Sequence, residues 1–256
     1  MSTISRYAQQ QRQQEAIENE LFKPRFTPRG SNNPLSTVDL MRKEARNKTL
    51  IYFMGVAGLE TEPYEKAAAK RLTQIDSIVD SLTLTPASKV QKLAALQKEH
   101  AKINGEMVIK AMGIMESAHN ADEKKINERT AQQIQDAREI RSTLRDVPEN
   151  ELLTMAKQSP EMAAALSNMN RFIVGTHKAQ LDDGKGGKTV KQMYGMQEST
   201  QQVIRDHHMR HVLGSEGAQA YVDRNKQMSN LLALSGELAE SDHRFRALHT
   251  LAEGIK

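Results

Sequence analysis

After Pro86 the chain runs to Leu144 without another proline, an aromatic residue or a block of apolar side chains. As helix, that stretch is about sixteen turns at 3.6 residues per turn. Its seam residues recur as a narrow stripe: Val90, Leu93, Ala94, Ala101, Val108, Met112 and Met115, then Ile126, Thr130, Ile134, Ala137, Ile140 and Leu144. A stripe this thin cannot build a thick core alone and suits a seam against another helix. Gly105, Gly113 and the segment from Ala118 to Asp122 are the candidate breaks. Asn120 and Asp122 favour a turn, and Asp122 is able to cap a new helix. Two antiparallel helices are therefore expected in preference to one rod.

A chain of 256 residues is long enough to bury a sizeable core, yet only 38% of it is hydrophobic and it has no Trp. The apolar residues are mostly Ala, Leu, Ile and Met, which favour helix over strand. The expected fold is all-α, about eight helices, elongated, with coiled-coil-like packing. The glycine-rich segment from Asp182 to Lys188 is either a loop or the tip of a small hairpin near 177–194, the one place where a strand pair fits. Cys is absent, which excludes disulfides and thiolate metal sites and fits a reducing compartment. Ser2 to Glu20 is Gln-, Arg- and Glu-rich and carries no apolar signal core.

Three segments are expected: residues 1–35 as an N-terminal helix and proline-rich arm, 36–146 as a long-helix domain, and 147–256 as a C-terminal helical domain. Pro24, Pro28 and Pro34 stop the first helix and make the arm extended. Ser36 or Thr37 caps the next helix, which leads into the apolar run at Leu50 to Leu59. Thr85-Pro86 and Ser159-Pro160 are further starts in which a cap precedes proline, and Asp146 to Glu149 resembles a capping box.

The chemistry-bearing patterns are sparse. Gly187-Lys188-Thr189 ends like a phosphate-binding loop, but Asp182 stands where the earlier glycine is needed and no apolar strand precedes it, so it reads as a surface turn. His207 and His211 lie one helical turn apart, a spacing that lets two imidazoles share a metal, although two ligands do not close a site. Glu116 with His119, and Glu240 with His243, match the Glu-x-x-His element of di-iron bundles, for which Glu65 and Glu198 or Glu216 would be the facing carboxylates. A metal-dependent bundle enzyme is the alternative these residues define; the reading preferred is no enzyme and no cofactor. Arg25, Arg29, Arg42, Lys43 and Arg46 are the candidates for contact with nucleic acid phosphates, and a nucleic-acid adaptor is a further alternative. The net charge of +4 includes no dense basic block. Leu50, Ile51, Tyr52, Phe53, Met54 and Val56 form an apolar patch for a partner or a membrane surface, about half the length that a helix needs to cross a bilayer. The 13 methionines, mostly at interface positions, suit either core packing or a surface that repacks during assembly.

Gln9 to Gln14, the arm from Lys23 to Pro34 and the polar tract from Pro86 to Leu144 give the chain a style that resembles the internal virion proteins of short-tailed bacteriophages. The resemblance implies a non-enzymatic structural protein of head–tail or portal assembly or of genome ejection, found in the virion and the host cytoplasm. Its partners would be further copies of itself, other virion or assembly proteins, and DNA.

Overall fold

Capping and periodicity place most helix boundaries where the computed structural model has them. It describes residues 3–24, 34–167, 174–182 and 188–253. The proline-rich arm, with Arg25 and Arg29, and the glycine-rich tip at 183–187 lie outside the described residues. In chain order come α1 (Thr3–Phe22), α2 (Thr37–Ala45), α3 (Lys48–Val56), α4 (Glu62–Val79), α5 (Pro86–Asn127), α6 (Ala131–Thr143), α7 (Glu149–Gln158), α8 (Pro160–Ser167), β1 (Thr176–Asp182), β2 (Lys188–Tyr194) and α9 (Glu198–Glu253). The fold is predominantly all-α, and the expected hairpin forms as an antiparallel pair with Thr176 opposite Tyr194.

The start and stop chemistry is explicit. Ser36 Oγ accepts from the Asp39 amide at 3.1 Å and Asn47 Oδ1 from the Leu50 amide at 2.9 Å, so α2 and α3 are both side-chain capped. Gly58, at φ 72°, ends α3 with the paired bonds of a Schellman turn, from Leu59 N to Met54 O and from Gly58 N to Gly55 O. Thr85 caps α5 through the Ser88 amide. The break in the long polar tract falls later than expected. Asn120 and Asp122 remain inside α5, and Thr130 opens α6 through a capping box with Gln133. Asp122 has a different task, an ion pair with Arg224 at 2.8 Å, which removes its reason to cap. The start of α7 also departs from expectation, since Pro148 occupies the N-cap with no side-chain bond. Helix α9 is interrupted at Gly214, whose φ of 74° and ψ of 167° are non-helical.

The chain divides into two compact units, Met1–Glu116 with Lys226–Lys256, and Ser117–Asn225. These boundaries differ from the three segments expected at 35 and 146. Ile17 and Leu21 of α1 are fully buried against Val38 and Met41 of α2, Ile75 of α4, and Val90 and Leu93 of α5, so α1 belongs to the core of the first unit. A second cluster in that unit joins Leu50, Phe53 and Met54 to Tyr64, Val108, Ala111, Met115, Leu231 and Leu234. The second unit gathers Leu144, Leu152, Ala156, Ala163, Leu166, Val174, Met196 and Ile204. There Gly175, at φ 89°, is required twice over: a Cβ on it would stand 2.7 Å from Leu152 Cδ1, and no L side chain favours that backbone.

Candidate functional site

The seam of α5 is polar in its middle. Between Leu93 and Val108 the inward positions, at spacings of three and four, are Gln97, His100 and Asn104, and none is more than 3% exposed. Buried polar groups of this kind must find partners inside the protein. Helix α4 supplies them from one face, seven residues apart. Tyr64 Oη donates to Asn104 Oδ1 at 2.6 Å, and the Arg71 guanidinium meets His100 Nδ1. From α2, Glu44 Oε2 accepts from Gln97 Nε2 at 2.7 Å.

The protonation states follow from these contacts. A guanidinium only donates, so the His100 nitrogen that it meets carries no proton. Burial, and then the neighbouring Arg71 charge, push the His100 pKa down to about 4. Burial pushes the Tyr64 phenol up to about 12. The Arg71 guanidinium is lowered by burial as well. Glu44 is raised by burial against the opposing pull of the Ser241 and Gln97 side chains. The result is a neutral imidazole and a neutral phenol beside a Glu44 carboxyl whose charged form burial disfavours. Such a layer fixes which residues face one another; it offers no exposed nucleophile or acid–base pair to a solute.

The second unit holds smaller polar contacts. His208 Nε2 donates to the Ile126 carbonyl at 3.1 Å, and burial lowers its pKa. Asp122 is held below the usual carboxylate range, first by its hydrogen bond from Arg224. His119 stacks on Tyr221 with ring centroids 4.4 Å apart.

The residues singled out from sequence fall as follows. Glu116 is exposed, the His119 ring is occupied by its stack, Glu240 pairs with Arg244 at 3.5 Å and His243 is exposed. Glu65, Glu198 and Glu216 are exposed as well. Of the histidine-rich stretch it is His208 that turns inward, while His211 is exposed and His207 half-buried. Among the described residues no group of three or more His, Asp or Glu side chains is placed to hold a metal ion. Arg42 pairs with Asp76 at 2.8 Å and with Asp39 at 3.5 Å, whereas Lys43 and Arg46 point outward. In the apolar run, Leu50, Phe53 and Met54 are core residues and Ile51 is half-buried; Tyr52, at 58% exposed, and Val56 face out. No described helix is long and apolar enough to cross a membrane.

Sequence reasoning missed Gln97, His100 and Asn104 because it tracked apolar residues alone. The signal was present: between Ala94 and Val108 the stripe holds Ala101 alone, and extending the spacing of three and four from Leu93 lands on these three. Nothing in the sequence marks Glu44, Arg71 or Tyr64 as their partners. No family model matches the chain, and no curated protein or solved structure matches it either.

Proposed function

We propose that this chain is a non-enzymatic structural or assembly protein that works as a homo-oligomer, in the role of a short-tailed phage virion component for head–tail or portal assembly or for genome ejection. The observation that carries the reading is the large apolar side chains left outside the cores of helices whose buried stripe is thin. Ile109 on α5 is 72% exposed and Leu232 on α9 is 67% exposed, with Ile114 and Val222 also outward. One exposed isoleucine is ordinary on any protein. Here Ile109 lies between Gly105 and Gly113, one turn away on each side, and a Cβ at either glycine would meet nothing within 4 Å. Two glycines inside a helix cost about 1 kcal/mol each relative to alanine, a cost that close approach of another helix would offset.

Size exclusion coupled to light scattering on the full-length protein tests the proposal. A discrete multimer that persists on dilution into the low micromolar range is the expected result. A monomer at every concentration overturns it.

A further inference from the structure

Helices α2 and α9 border an open trough of about 1160 Å³ in the first unit. Its floor carries Leu40, Ala233, Leu234 and Gly236, small or apolar groups that admit close packing. The two edges differ in charge. On the α2 side, running into the start of α3, stand Lys43, Arg46 and Lys48, beside Arg42 paired with Asp39; on the α9 side stand Glu237 and Glu240, the latter paired with Arg244. Lys43, Arg46, Lys48 and Glu237 are all exposed, and none has an ion-pair partner among the described residues.

We infer that a second copy of this chain docks along the trough, related by a two-fold axis that runs parallel to it. A two-fold interface brings one patch against itself, so the patch must complement its own image. Rotation about an axis along the trough exchanges left and right edges and lays the basic α2 edge of each copy over the acidic α9 edge of the other. An axis across the trough would set like charges together and is disfavoured. Closing the trough removes the small-residue floor from water while giving partners to charges that have none among the described residues. A nucleic acid would answer only the basic edge and would be repelled by Glu237 and Glu240.

The inference rests on the homo-oligomer reading above and adds to it the surface and the symmetry. Its test uses the full chain with one edge reversed at a time: Lys43→Glu with Arg46→Glu, and separately Glu237→Lys. All three side chains are exposed, and circular dichroism melts confirm that each variant is folded. Sedimentation equilibrium is expected to show each variant associating at least about tenfold more weakly than the unaltered chain. An equimolar mixture of the two is expected to recover association, because one now offers acidic edges and the other a basic face. Unchanged association of both variants overturns this surface and leaves oligomerisation standing on another. A monomeric unaltered chain overturns the surface and the oligomer reading together. Loss of duplex DNA binding in the Lys43→Glu/Arg46→Glu variant, with no self-association in any sample, assigns the basic edge to nucleic acid and likewise overturns the inference.

Discussion

A neutral imidazole facing a guanidinium leaves a signature in the pH dependence of stability. His100 has a folded-state pKa of about 4, below its ordinary value of 6.5, so the unfolded chain binds more protons between those values. Its contribution to stability is complete above pH 6.5 and is lost as pH falls towards 4, a change of roughly 3 kcal/mol from a shift of this size. Glu44 works in the opposite sense. Its pKa is raised, so deprotonation as pH rises above 4.5 disfavours the folded state, and the two groups oppose one another in the mildly acidic range. Urea unfolding of His100→Gln is expected to give a flatter stability profile between pH 4 and 6.5 than the unaltered chain. A slope equal to that of the unaltered protein would place His100 elsewhere than against Arg71. Replacing Tyr64 by Phe removes the hydroxyl that donates to Asn104 and leaves that buried amide oxygen short of a donor; the expected loss is about 1–3 kcal/mol at neutral pH.

The glycines of individual elements divide into those that are required and those that are not. At Gly175, Ala would meet Leu152 in an unfavourable backbone conformation, and a loss of about 2 kcal/mol or more is expected in denaturant unfolding. Gly113 lies within α5 with open space at its Cβ position. In the isolated subunit Gly113→Ala is expected to stabilise by about 0.5–1 kcal/mol, and a destabilising result would mean that the position is already packed. This contrast also shows what the sequence could reveal. Helix starts at Ser36, Thr85 and Ser159 were legible because a cap and its amide partner lie three residues apart along the chain. The end of α5 was misplaced because the local capping box of Thr130 with Gln133 was overlooked and Asp122 was given a capping role, whereas it pairs with Arg224 about a hundred residues away. The polar layer escaped for the same reason. Gln97, His100 and Asn104 could be put on the seam from spacing, but Glu44, Tyr64 and Arg71 reach them only once the helices are packed.

At the scale of the molecule, the separate cores of the two units predict separable responses to truncation. Leu93 is fully buried among residues of the first unit and Leu152 among those of the second. Leu93→Ala and Leu152→Ala should each cost about 2–5 kcal/mol of local stability. Hydrogen exchange followed by mass spectrometry is expected to report faster opening chiefly in residues 86–97 for the first variant and in residues 144–167 for the second. Uniform acceleration in both regions would mean that the chain unfolds as a single cooperative body. The proposed oligomer belongs to this scale too, since a second molecule would be what covers the exposed Ile109 and Leu232.

Gly214 sets the angular bookkeeping of α9. An uninterrupted helix advances about 100° per residue, so Ala218, fourteen residues beyond Ile204, would return to within about 40° of the same direction. The non-helical Gly214 interrupts that course between two buried residues, Ile204 and Ala218. Inserting or deleting a residue between Gly214 and Ala218 would act as a dial on the helix that follows within this unit, turning its face by roughly a quarter of a revolution per residue.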